Sequence, residues 1–110
     1  CVLRLRHPIE HPHKCLAVVE LPHDPGAVAR EFYDGEAFVR VLDGMPETKY
    51  THGSNRALLG YSFDERTDRV IAVAAIDNLG KGAAGQAVQN ANLMLGLAET
   101  DGLEGAGIYP

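Results

Sequence analysis

The chain has 110 residues, 45% of them hydrophobic, and a formal net charge of −5. With no Trp, four Tyr and three Phe, it leaves Ala and Val to fill much of the interior of a single domain. At this size such a domain buries only about two-thirds of its unfolded surface. Small apolar residues favour tight helix-on-sheet packing over a large ligand cavity. Acidic and basic residues are interleaved, so the basic stripe that nucleic acid requires is missing. No apolar run approaches the ~20 residues that span a bilayer. Cys1 and Cys15 make neither a disulfide framework nor a paired zinc spacing, and they read as reduced thiols of a cytoplasmic protein.

The chain opens on Cys1-Val2-Leu3-Arg4-Leu5-Arg6, an alternating stretch that reads as a strand already under way, which implies sequence upstream. His7-Pro8 breaks it, because the residue before a proline is pushed out of the helical region. Residues 15–21 are β-rich and stop at Pro22. A helix is expected next, with Asp24 as N-cap, Pro25 in the first helical position and Ala27, Val28, Glu31 and Phe32 inside. Asp34-Gly35 ends it. Residues 38–42 form the next strand, closed by Asp43-Gly44, and residues 48–52 are expected to pair as a short strand before the turn Gly53-Ser54-Asn55.

Residues 57–63 and 69–76 read as two longer strands joined by the polar hairpin loop 64–68. The second, Arg69 to Ile76, is nearly all apolar and is expected to lie centrally with both faces covered. A final helix runs from Lys81 or Gly82 to Leu97. Its residues Ala84, Ala87, Val88, Ala91 and Leu95 make one narrow apolar face suited to close packing. The Gly-rich tail from Glu99 is irregular. The sum is an α+β fold, with a mostly antiparallel or mixed sheet of about five strands and two packed helices.

Gly80-Lys81-Gly82-Ala83-Ala84-Gly85 satisfies the dinucleotide pattern G-x-G-x-x-G after a strand and at the start of a helix. A dinucleotide fold also needs a second parallel strand about 20 residues on, ending in an acidic residue. Ala98-Glu99-Thr100-Asp101 has no apolar strand before it, so the match reads as accidental. Lys81 at a glycine-flanked helix start remains a positive, donor-rich spot for a phosphate or amide group, with plain close packing as the competing explanation. His7, His11, His13 and Cys15 supply zinc-type ligands, but in no standard spacing, and an exposed loop is the simpler reading, with no metal expected.

Several segments together resemble the N-acetyl-gamma-glutamyl-phosphate reductases, relatives of the aspartate-semialdehyde dehydrogenases. They are residues 32–42, Pro46-Glu47-Thr48-Lys49-Tyr50, Gly53-Ser54-Asn55, the signature Asp77-Asn78-Leu79-Gly80-Lys81-Gly82-Ala83-Ala84-Gly85-Gln86-Ala87-Val88-Gln89 with its continuation to Gly96, and Glu99-Thr100-Asp101-Gly102-Leu103. They keep the family's order over roughly residues 30–110.

The resemblance implies the carboxy-terminal part of an NADPH-dependent reductase that converts N-acetyl-glutamyl phosphate to its semialdehyde in arginine biosynthesis. It also implies a semialdehyde-dehydrogenase-like catalytic and dimerisation domain, and a homo-oligomer. In that family the last helix packs against the amino-terminal Rossmann part with its start beside the nicotinamide. Asn78, Lys81, Gly82 and Ala83 would then face NADP(H), and Lys14 would stand in for a substrate-binding arginine. The family's Gly-Cys-Tyr nucleophile, its acid/base histidine and its Gly-rich Rossmann loop have no counterpart here. The chain is therefore expected to be inactive alone. The alternative is a stand-alone, non-catalytic binding or assembly module derived from the same domain.

Overall fold

A computed structural model describes residues 24–108. The element order is a helix α1 (Pro25–Phe32), strand β1 (Val39–Leu42), a 3-10 turn (Thr48–Thr51), strands β2 (Ala57–Asp64) and β3 (Arg69–Ile76), a π-turn (Gly80–Ala84) and helix α2 (Gly85–Leu95). The fold is α+β, with two helices and a three-stranded sheet in the order β1-β2-β3. The sheet is mixed, β1 running parallel to β2 and β2 antiparallel to β3. The strand segments read at residues 2–6 and 15–21 lie outside the described residues.

Local chemistry explains the start of the unit. Asp24 caps α1 by accepting a hydrogen bond from the Ala27 N–H at 2.8 Å, and Pro25 occupies the first helical position, where its missing N–H costs nothing. The helix packs against β1 and β2, burying Ala29. β2 and β3 form the expected hairpin, in register from Ala57 opposite Ile76 to Asp64 opposite Arg69. Asp64 closes its loop, accepting from the Arg66 N–H at 3.0 Å and from the Thr67 hydroxyl at 2.7 Å. These contacts hold the Asp64 carboxyl below its usual range, the Thr67 bond contributing most.

Several expectations change. The described residues supply three strands of the about five expected, and two of the expected strands fall outside them. Residues 48–51 coil into a 3-10 turn instead of pairing, because the Thr51 hydroxyl bonds back to the Thr48 carbonyl at 2.8 Å and gives the backbone a local alternative to a ladder. β3 stands at the edge of the described sheet, and its large apolar side chains are exposed, Ile71 by 47% and Val73 by 39%.

The apolar face read on the last helix is real, but it points outward. Ala84, Ala87, Val88, Ala91 and Leu95 are all exposed, whereas α2 buries Gly85, Gln89 and Asn92. Periodicity identified the stripe correctly. The side it turns toward its own chain is set by long-range polar partners that periodicity does not see. The helix also stops at Leu95, two residues early, where Gly96 adopts φ +71 and the Leu97 N–H returns to the Asn92 carbonyl at 2.9 Å. This is the left-handed C-terminal motif that glycine enters without steric cost.

Candidate functional site

The residues that carry the helix signature sit at the junction of β3 and α2, and one side chain holds that junction in place. Asp77 follows β3 directly. Its Oδ1 accepts from the N–H groups of Leu79 (2.8 Å) and Gly80 (2.7 Å), and its Oδ2 accepts from the Gly53 N–H at 2.7 Å. The first pair caps the turn into the helix, and the third ties that turn to the Gly53-Ser54-Asn55 loop. His52 Nδ1 lies 3.6 Å from the same carboxylate. The three backbone donors, Gly53 foremost, hold the Asp77 carboxyl below its usual range, and His52 adds a smaller pull in the same direction.

The helix entry is a π-turn. The N–H groups of Gly82 and Ala84 donate five residues back, to the carbonyls of Asp77 (2.8 Å) and Leu79 (2.9 Å). Such widened turns often occur at functional sites. The glycines of the apparent G-x-G-x-x-G are used for packing. A Cβ on Gly80 would stand 2.8 Å from the Ser54 carbonyl oxygen, and one on Gly85 would collide with Asn55 Oδ1 and come within 2.9 Å of Gly80. Their open sides face the chain's own loop rather than a pyrophosphate, which removes the reason a dinucleotide cradle needs them.

Beneath the turn lies a chain of polar side chains. Gln89 Oε1 accepts from Lys81 Nζ at 2.6 Å and from Asn55 Nδ2 at 3.0 Å, while Gln89 Nε2 donates a short hydrogen bond to Glu99. Amide orientations are assigned from such networks, and here the assignment is forced. Lys81 can only donate and the Glu99 carboxylate only accept, so Gln89 must point its oxygen at Lys81, and Asn55 must then offer its nitrogen to Gln89. The Asn55 oxygen is left against Gly85, buried and without a hydrogen-bond partner; Asn55 itself is 5% exposed. Asn92 extends the network by donating to the carbonyls of Asp101 (2.9 Å) and Glu99 (3.3 Å), and the Ile108 N–H donates to the His52 carbonyl at 2.9 Å. Loop, helix and tail are thus stitched into one unit.

The signature residues expected to line a site share one turn, but their side chains diverge. Asn78, Gly82 and Ala83 are exposed. Asn78 borders an open cleft of about 730 Å³ whose walls include Lys49, His52, Ile76, Leu79 and Ile108. Lys81 is half-buried and turned inward, its ammonium bonded to Gln89 and 5.4 Å from the centre of the Phe38 ring. Burial pushes the Lys81 amine down, and the charges of Glu99 and Glu36 oppose that shift. A smaller cleft of about 380 Å³ lies between Asn55, Gly80, Gly85 and the tail glycines.

Lys14 and the His7, His11, His13 and Cys15 group lie outside the described residues. Sequence reasoning missed Asp77, Gln89 and Glu99. An Asp just before a Leu-Gly turn is a recognisable side-chain cap. The Asn55–Gln89–Glu99 contacts join residues 34 and 10 positions apart and leave no local pattern.

A mixed sheet that hands its last strand to an exposed, Ala-faced helix through a pinned turn defines a helix-presenting α+β unit. Residues 20–78 match the family model of the semialdehyde dehydrogenase dimerisation domain, and the chain belongs to that family. An N-acetyl-gamma-glutamyl-phosphate reductase of Bradyrhizobium sp. (strain BTAi1 / ATCC BAA-1182) is 62% identical over 82 residues, covering 74% of this chain and 25% of the relative. A protein of the same name from Thermus thermophilus is 60% identical over 84 residues, covering 76% and 24%. One from Desulforamulus reducens is 60% identical over 86 residues, covering 76% and 25%. The chain therefore spans about a quarter of the length of the curated relatives it matches.

Proposed function

We propose that this chain is the carboxy-terminal portion of an NADP(H)-dependent reductase that converts N-acetyl-glutamyl phosphate to N-acetyl-glutamate semialdehyde, and that it does not catalyse that reaction alone. One observation carries the reading. The helix entry and α2 expose the whole apolar stripe, Ala84, Ala87, Val88, Ala91 and Leu95, to solvent. A stripe of small residues permits close approach of a second surface, and the amino-terminal Rossmann part of the same enzyme is the surface assigned to it. A stand-alone module would gain nothing from leaving that stripe in water.

NADP(H) would supply the hydride when bound, shared between this unit and the amino-terminal part. The exposed shoulder of Asn78, Gly82 and Ala83 fits a neutral, hydrogen-bonding end of the cofactor better than its phosphates, because Gly80 and Gly85 are closed against Ser54 and Asn55. Lys81 acts from beneath, its charge held under the turn by Gln89. Lys14 is assigned to substrate binding on the resemblance of its segment alone. The assembled enzyme is a homo-oligomer of the cytoplasm in this reading, consistent with a unit whose family is described as a dimerisation domain. No helix among the described residues is long and apolar enough to cross a membrane.

Lys81→Ala tests the cofactor assignment in the enzyme reconstituted with its amino-terminal part. Weaker NADPH binding, by about tenfold for a charge-assisted contribution, is expected in fluorescence titration. An unchanged affinity would remove Lys81 from the site.

A further inference from the structure

Lys81 is half-buried at the helix entry, and an ammonium carries three donors and no acceptor. One donor goes to Gln89 Oε1 at 2.6 Å, and the Phe38 ring centre lies 5.4 Å away, within cation–π range. The other two N–H groups meet no acceptor among the described residues. Two carboxylates, Glu99 and Glu36, are near enough to pull on the ammonium, yet neither forms an ion pair with it among those residues. Opposite charges attract strongly where water is partly excluded, so something holds these apart.

Between Lys81 and Glu99 stands the amide of Gln89. It accepts from the ammonium at one end and donates to the carboxylate at the other. Gln89 is 8% exposed, and Asn55 Nδ2 holds the same Oε1 from a third side at 3.0 Å. Asn55 makes that contact while its own oxygen stays buried and unpaired against Gly85, which is unfavourable in itself. Its nitrogen supplies what a reversed amide could not, a donor to the oxygen that faces Lys81. These contacts ask for a long neutral amide at position 89. A carboxylate there would repel Glu99, a cation would repel Lys81, and an apolar side chain would leave Asn55 Nδ2 without an acceptor.

We propose that Gln89 is a positioning residue: its amide keeps the Lys81 ammonium apart from the Glu99 carboxylate, so that the cation stays under the helix entry with two N–H donors left for an acceptor on bound NADP(H). The ligand rests on the cofactor reading above; the separation of charges does not.

Side-chain NMR of the full 110-residue chain tests the separation, since its three lysines are readily told apart. Wild-type Lys81 is expected to titrate below the ordinary lysine range, because burial of its charge outweighs the pull of Glu99 and Glu36. Gln89→Leu should raise that titration by letting the ammonium close onto Glu99, and adding Glu99→Gln should abolish the rise. A rise that survives Glu99→Gln would overturn the proposal, because the ammonium would then have left for solvent. So would no change at all. Should Gln89→Leu fail to fold, Gln89→Glu keeps the shape and both accepted bonds. It should raise the Lys81 titration, expel Glu99 and speed amide exchange over residues 99–103; an unmoved Lys81 or an undisturbed tail would again contradict the proposal.

In the enzyme reconstituted with its amino-terminal part, Gln89→Leu should raise the KM for NADPH about tenfold, as loss of a charge-assisted bond does, with kcat changed less. Combined with Lys81→Ala it should add nothing further, since the two residues act as one unit. Additive losses would overturn the positioning role. A KM unmoved by Lys81→Ala would sink the cofactor reading alone, and the titrations would still decide the role of Gln89.

Discussion

Asp77 accepts three backbone hydrogen bonds from two separate stretches of chain, so its carboxylate links the helix entry to the Gly53 loop. Its pKa in the folded chain lies below the ordinary 3.8. A depressed carboxyl contributes stability above its unfolded pKa, and that contribution is lost as pH falls through the folded value. The chain should therefore lose thermal stability progressively below about pH 4. In Asp77→Asn the neutral-pH midpoint should be lower and the acid-side slope shallower. Asp64 contributes in the same direction, so some slope remains. Thermal melts from pH 6 to pH 2.5 check this, and an unchanged slope in Asp77→Asn would place the acid sensitivity elsewhere.

Gly85 gives a second test at the same scale, since any Cβ there meets Asn55 and Gly80. Gly85→Ala should cost about 1–3 kcal/mol, as overpacking does, and urea unfolding reads it directly. A neutral result would mean that Asn55 can withdraw without loss. The signature glycines and a close-packing role for them were visible in the sequence, but the partner they pack against was not. The local pattern left an anion-binding helix start and plain close packing as competing explanations, and the contact that requires Gly85 comes from Asn55, 30 residues away.

At the scale of elements, features with local causes were legible. Asp24-Pro25 announced the start of α1, and the polar run 64–68 between two apolar stretches announced the hairpin. Residues 48–51 misled because a Thr-rich stretch supports either a strand or a side-chain-closed turn, and the Thr51–Thr48 bond decides it. The last helix was legible as a helix with an apolar stripe, yet the direction of the stripe was hidden, because Gln89 and Asn92 anchor the other side to Asn55 and the tail. That orientation is testable. Val88 is 43% exposed, so Val88→Asp should change the stability of the isolated chain by no more than about 0.5 kcal/mol. It should also weaken association with the amino-terminal part. A large loss of stability in the isolated chain would show that the stripe packs within it.

For the whole molecule, the balance of buried and exposed apolar surface points the same way. Ala29, Phe38, Leu58 and Ala75 are the buried apolar residues among those described, whereas Leu79, Met94, Leu95 and Ile108 are among the large side chains left in solvent. Exposed apolar surface on this scale marks interaction sites. Most of it lies on α2, on β3 and around the β3–α2 junction, with Val28 and Phe32 of α1 and Met45 and Tyr50 also exposed. The same stitched unit of loop, helix and tail that buries Gln89 and Asn92 therefore presents an apolar outer side. The central claim is that this unit completes a reductase and does not act as one. Its most direct test is NADPH oxidation with N-acetyl-glutamyl phosphate by the purified 110-residue chain, alone and with the amino-terminal part supplied in trans. No turnover alone, and turnover on mixing, is the predicted result; turnover by the chain alone would contradict it.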